Sequence, residues 1–187
     1  MKVIIRSDGA LEKLAQAFGV LDAQAEAALA RALRHTGAKA KTQVIRALTK
    51  QTGLRRATIV RAVKEDKSGR LTYELATKGG NIRLKYFGAR EVRAGVTAKP
   101  WGKRQLFPGV WIRGGIWPKR VTLNMGGHAF RRTSNKRLPI EGGRSGLYIP
   151  EEMIQGTTLD AFEGVVDRDL VARVHHELGR IIGAAGL

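Results

Sequence analysis

The chain has no cysteine and no long apolar run, and each of these absences closes a class of function. Without cysteine there is neither a disulfide framework nor a thiolate metal site, which suits a reducing compartment. No apolar stretch approaches the roughly 18 residues a membrane span requires. The start, Met1-Lys2-Val3-Ile4-Ile5-Arg6-Ser7-Asp8, lacks the apolar region of a signal peptide. The expectation is a soluble protein with no membrane partner, made in the cytoplasm. Catalytic signatures are missing too. The histidines, His35, His128, His175 and His176, never stand three or four residues apart, so no zinc pair shares a helix face. Asp167 and Asp169 diverge on a helix, and Glu151-Glu152 after Pro150 suit a helix N-terminus better than Mg²⁺. There is no nucleophile elbow, Walker loop or dinucleotide fingerprint, and no acid–base pair. The sequence therefore reads as a non-enzyme with no metal, cofactor or catalytic residue.

Acids are scarce where bases are dense. Of the 34 Lys and Arg, 27 lie between Ala27 and Ile140 against four acids (Glu65, Asp66, Glu74, Glu91), a local net charge of +23. Residues 1–26 carry −1 and residues 141–187 carry −4, which returns the overall +18. A field of that size points to a polyanion, because each base that neutralises a phosphate releases a counterion irrespective of nucleotide sequence. Charge alone equally allows an assembly surface that meets acidic proteins.

At 187 residues and 43% hydrophobic the chain reads as one α+β domain, 1–187. Its helical part covers about 8–65, a β part with an extended arm about 70–150, and a C-terminal helix about 157–182. A short helix is expected from Ser7 or Asp8 to Gly19. A long one starts near Asp22, with the stripe Ala25, Leu29, Leu33, Thr36, Ala40, Val44 and Leu48, although Gly37 costs it about 1 kcal/mol and is a place for a kink. Gly53 breaks the pattern and Leu54–Lys64 resumes it. The period then changes to two: Leu71, Tyr73 and Leu75, a turn at Gly79-Gly80-Asn81, then Ile82, Leu84 and Tyr86, which reads as a β-hairpin. Further strands are expected at 91–97, 110–113, 121–125 paired with 129–132 across Gly126-Gly127-His128, and 146–149 closed by Pro150. Leu159, Phe162, Val166, Leu170, Val174 and Leu178 mark the last helix. Helices, then strands, then a helix argue for an antiparallel sheet with helices on one face.

Two constellations stand out. Residues 43–64 outline a helix-turn-helix whose second helix carries Arg55, Arg56, Arg61 and Lys64 outward; its plainer reading is an αα-hairpin with a basic face. Residues 88–120 hold nine Gly or Pro among aromatics and bases, including Lys103 and Arg104. Aromatics among bases can stack nucleotides. The preferred reading is a docking arm anchored by Trp101, Phe107, Trp111 and Trp117, mobile until a partner buries it.

Six strings in order resemble the minor tail protein Z family of long-tailed phages and prophages. They are Val44-Ile-Arg-Ala-Leu-Thr-Lys-Gln-Thr-Gly-Leu54; Leu84-Lys-Tyr-Phe-Gly-Ala-Arg90; Pro100-Trp-Gly-Lys-Arg104 with Phe107-Pro-Gly109; Leu123-Asn-Met-Gly-Gly-His128 with Phe130-Arg-Arg132; Leu138-Pro-Ile140; and Ile149-Pro-Glu-Glu-Met153. The likeness covers about residues 25–180 in one register. It implies a virion structural protein, made in the host cytoplasm, that completes the head-proximal end of the tail. Its implied partners are the tail terminator or tail tube, the head–tail connector, further copies of itself in a ring that is most simply a hexamer, and the leading end of the genomic DNA. The family has no known catalytic residues, so none is carried over. The alternative, from residues 43–64, is a helix-turn-helix DNA-binding regulator.

Overall fold

The computed structural model describes residues 2–6, 23–67, 69 and 71–184. The helix expected before Gly19 lies outside these. The architecture is α+β, as the element order anticipated: β1 (Lys2–Arg6), the long helix α1 (Ala23–Thr52), the short helix α2 (Arg56–Ala62), β2 (Val63–Asp66) and β3 (Thr72–Thr77) come first. A lobe of short strands follows: β4 (Arg90–Val92), β5 (Gly95–Ala98), β6 (Gln105–Pro108), β7 (Val110–Trp111), β8 (Arg113–Gly115), β9 (Arg120–Thr122), β10 (Phe130–Arg132) and β11 (Ile140–Gly142). The chain closes with α3 (Ile149–Met153) and α4 (Gly156–Ala184). All described pairings are antiparallel, in sheets ordered β1-β3-β2, β11-β10-β7, β4-β5-β6 and β8-β9.

The two long helices form the frame. Alanines at 25, 28, 32 and 40 on the buried face of α1 lower the surface enough for α4 to pack closely, and Leu29, Leu33, Val44 and Leu48 fill the remaining space. From α4 come Phe162, Val165, Val174 and Leu178. The polar contacts set the register. Arg31 meets Glu177 at 3.0 Å, Lys39 meets Asp169 at 3.4 Å, and Gln51 meets Thr157 at 3.0 Å. Each step up α1 is matched by an equal step down α4, which is an antiparallel pair in fixed register. The first helix ends where Gly53 takes a left-handed φ of +72° and its N–H donates back to the Thr49 carbonyl at 3.1 Å, a glycine C-terminal stop.

Strand β3 is the middle of the N-terminal sheet, and its alternation puts Tyr73 and Leu75 inward as expected, with Thr77 on the same face. Tyr73 lies fully buried over Gly37, where a Cβ would stand 2.4–2.6 Å from the ring carbons. The glycine is thus the place at which a helix admits an aromatic face, and α1 runs through it unbroken. The Tyr73 hydroxyl donates to Glu65 at 2.7 Å. Burial, then this bond, push the phenol well above its usual range. Lys67, then Tyr73 and the charge of Lys41, hold Glu65 down at about 2.

Four sequence expectations are corrected. The second helix ends at Ala62, and Val63–Asp66, including Lys64, form a strand, because pairing with β3 supplies backbone bonds that a third helical turn could not match. Ile82–Tyr86 is no hairpin strand: Leu84–Phe87 is a 3-10 turn that buries Leu84 and Phe87 and leaves Tyr86 exposed, while β3 pairs with β1 and β2 instead. Residues 121–125 and 129–132 do not pair; β9 joins β8 across the loop 116–119, and β10 joins β11 and β7 because Val110 and Ala129 are buried together on that side of the lobe. Residues 146–149 are not a strand, since Pro150 sits in the first turn of α3, where its missing N–H is harmless.

Substituting Gly37→Ala should destabilise. Helix propensity favours alanine by up to ~1 kcal/mol, but displacing a packed ring costs ~1–3 kcal/mol. The expected net loss, read by urea unfolding, separates a close-approach glycine from a kink. A second outcome concerns pH. Glu65 is depressed from an ordinary value of 4.5 to about 2, so its contribution is present above 4.5 and lost as pH falls through about 2. Glu65→Gln should therefore lower stability at neutral pH and converge with the wild type as pH approaches 2.

Candidate functional site

Two features of the fold bear on function: a hydrogen-bonded clasp that organises the arm, and a basic surface that the arm and its neighbours build. The clasp decides which tryptophans are free. The Gln51 amide donates to the Glu152 carboxylate at 2.7 Å and to the Glu152 carbonyl at 3.1 Å, and its oxygen accepts from Thr157 Oγ1, Thr158 N and Thr158 Oγ1 at 2.9–3.1 Å. Glu152 is buried, and its other oxygen accepts from the Trp101 indole N–H at 2.8 Å. Trp101 adopts a positive φ of 52°, and its half-buried ring packs on the core. The expectation that all three tryptophans find burial only in a partner therefore fails for Trp101, which belongs to its own fold.

The other docking candidates divide. Phe107, on β6, is half-buried against the core. Trp111, on β7, is half-buried and tilted against Phe130 with ring centroids 5.7 Å apart. Trp117 sits at the tip of the β8–β9 hairpin beside Ile116, which is 86% exposed. That hairpin is pinned at its base: the Arg120 guanidinium binds the Glu91 carboxylate and the Gly115 carbonyl, and Glu91 accepts the backbone N–H of Ile112 and Arg113. Most of the segment expected to be a mobile arm is thus laid down as short strands, and its apolar tip remains in solvent.

The basic candidates Arg55, Arg56, Arg61, Lys64, Lys103 and Arg104 are all exposed. Two pairs come together, since the backbone of Gly53 lies so close to that of Gly102 that a Cβ there would meet the Gly102 nitrogen at 2.8 Å. The chain segments bearing Arg55-Arg56 and Lys103-Arg104 therefore meet. Arg104 also donates to Thr97 at 2.9 Å. Arg61 and Lys64 lie farther along, at the end of α2 and on β2. A recognition helix is poorly served by this arrangement. Seven residues give about two turns, and of the four candidates only Arg56 and Arg61 lie on α2, five positions apart and so on different faces.

Sequence reasoning missed a third basic element. The β8–β9 hairpin, β10 and the loop 133–139 enclose a cleft of about 970 Å³ lined by Trp111, Arg113, Arg120, Arg132 and Arg137, with no acid and no lysine on its wall. Its arginines are scattered over 25 positions of sequence, and only the β10 pairings gather them. Alternation along β10 was the available signal: Arg132 lines this cleft, while Arg131 turns to the other face and meets Glu141. Nearby, burial first, and then the charges of Lys85 and Arg83, hold His128 below its usual range. Among the described residues no three His, Asp or Glu side chains gather as metal ligands, and no helix is long and apolar enough to cross a membrane.

Comparison with protein families, with curated proteins and with solved structures finds no match to this chain.

The two tryptophans at the extremes should behave oppositely. Trp101→Ala removes a packed ring and one partner of a buried carboxylate, and is expected to cost ~2–3 kcal/mol of folding stability. Trp117→Ala removes an exposed side chain and should stay within ~0.5 kcal/mol of the wild type. Chemical denaturation of both variants checks the division.

Proposed function

We propose that this chain is a tail completion protein of a long-tailed phage or prophage: a non-enzymatic virion component at the head-proximal end of the tail, joining it to the head–tail connector with the leading DNA end near its basic surface. The observation that carries this reading is the likeness of six ordered strings to the minor tail protein Z family. The fold lends support of its own kind. Gln51 lies in the first string, Trp101 in the third and Glu152 in the sixth, and these three side chains share one hydrogen-bonded clasp. Strings that converge on a single structural joint are what a shared fold requires. On this reading the chain assembles as a ring on the tail terminator or tube, most simply sixfold, with heterologous contacts between neighbours. Exposed Trp117 and Ile116 are the anchors left free for such a contact.

Imaging of virions with this subunit labelled should place it at the neck, and its deletion should yield complete heads and complete tails that do not join. Trp117→Ala should give the same phenotype with normal levels of soluble protein, since a central aromatic anchor is typically worth ~2 kcal/mol or more at an interface. Label at the distal tip, or intact infectivity of both strains, overturns the proposal. The purified chain should also bind duplex DNA weakly and without sequence preference. With about six phosphates neutralised, log affinity should fall against log salt with a slope of about −5. A protected operator footprint would instead establish the regulator.

A further inference from the structure

We infer that the cleft between the β8–β9 hairpin and the 133–139 loop is a seat for a short single-stranded nucleic acid segment, its phosphates on Arg113, Arg132 and Arg137 and a base against Trp111. The inference rests on the proposal that the basic block faces nucleic acid, and it names the strand class and the place.

Charge is the first argument. Four arginines line the cleft without an acid among the lining residues. Arg120 is committed to Glu91 and holds the wall, but Arg113, Arg132 and Arg137 are exposed and their guanidinium groups have no partner among the described residues. Three unpaired arginines facing one space are a receptor for anionic groups. The choice of arginine sharpens this. A planar guanidinium binds a phosphate through two parallel bonds and also stacks on bases, which an ammonium cannot do, and no lysine lines the cleft.

Size and the aromatic wall select the strand. A volume of about 970 Å³ is that of a large ligand pocket, enough for a few nucleotides. A duplex presents its bases stacked inside and its phosphates on a cylinder about as wide as a small domain, so it could only lie across the mouth. A single strand can enter and offer a base. Trp111 is prepared to receive one: its contact with Phe130 fixes the indole in place while it still lines the cleft, so stacking requires little further ordering. Thr133, Ser134 and Asn135 add neutral hydrogen-bonding groups along the same wall. An acidic peptide would use the arginines but not the indole face.

The test uses the purified full chain and fluorescence anisotropy with a labelled oligothymidylate of about 15 nucleotides, its duplex with oligoadenylate, and polyglutamate as competitor. The single strand should bind about tenfold more tightly than the duplex at equal salt. The double variant R132E/R137E should weaken it at least tenfold, and the log–log salt slope should become shallower by about 1.4 for two lost contacts. R137A, in an exposed loop, gives a milder loss and guards against misfolding, with thermal melts confirming both variants. R55E/R56E, at the α1–α2 turn, should weaken duplex and single strand alike, whereas R132E/R137E should weaken the single strand more than the duplex. Equal or tighter duplex binding, or cleft variants within twofold of the wild type, overturns the inference while leaving the virion reading standing. Displacement of the strand by equal charge of polyglutamate, with polyglutamate affinity lost equally in R132E/R137E, assigns the cleft to an acidic protein and also overturns it. No binding of either nucleic acid would remove both the cleft and the polyanion reading, whereas the neck position is settled separately by imaging.

Discussion

One carboxamide, that of Gln51, ties together parts of the chain about 100 residues apart. A helix beginning inside a protein leaves N–H groups without intrahelical partners, and α4 resolves this by borrowing the Gln51 oxygen for the Thr158 N–H and for the hydroxyls of Thr157 and Thr158. The same amide donates to Glu152, and Glu152 in turn holds the Trp101 indole. The exit of α1, the turn of α3, the entry of α4 and the corner of the arm are thereby fixed to one point. Buried polar networks of this kind specify geometry sharply when fully satisfied, because any alternative packing strands a donor or a carboxylate. The in-register ion pairs along the two long helices follow from where the clasp starts the pairing.

Beyond the clasp the molecule is built on two different physical principles. The helical layer and the β1-β3-β2 sheet rest on apolar burial, with Leu33, Leu48, Ile59, Leu75, Tyr73 and Leu178 all essentially free of solvent. The lobe from β4 to β11 has few such residues, Val96, Ala98, Val110 and Ala129 among them, and relies on polar pins such as Glu91 with Arg120. Residues 131–139 are exposed throughout. Segments with few buried contacts lie at the low end of local stability, where binding surfaces are commonly found. The exposed hairpin tip and the arginine cleft both belong to this lobe.

How much of this was legible in the sequence depends on the length over which a pattern repeats. The stripe of α1 runs from Ala25 to Leu48 and that of α4 from Leu159 to Leu178, long enough for period alone to locate both helices. Strand β3 was legible because its six residues alternate cleanly. Ile82, Leu84 and Tyr86 offer the same alternation over only five residues, too few to distinguish a strand from a turn that buries Leu84 and Phe87. Val63–Asp66 belongs to a sheet only because β3 is there to receive it, and nothing within VKED announces this. Of the site, exposed bases could be chosen by charge, but the cleft could not: it exists only once β10 brings Arg132 between the hairpin and the loop. Trp101 was read as free because its partner, Glu152, lies 51 positions away.

The distribution of acids decides which bases are paired. The C-terminal segment carries a net −4, and its carboxylates are used against the N-terminal helix: Asp169 receives Lys39 and Arg168, and buried Glu177 receives Arg31 and Arg173 with Arg180 at 4.0 Å. The hydrogen bond from Arg31, reinforced by the charges of Arg173 and Arg180, outweighs burial and keeps Glu177 ionised below the usual carboxylate range. Part of the basic charge of the helical pair is thus answered within the pair. In the strand lobe the supply of acids is exhausted early, with Glu91 consumed by Arg120 and Glu141 by Arg131. Around Arg55, Arg56 and Lys103 and at Arg113, Arg132 and Arg137 in the cleft no carboxylate among the described residues answers the exposed bases, so a polyanion could settle there without displacing an ion pair.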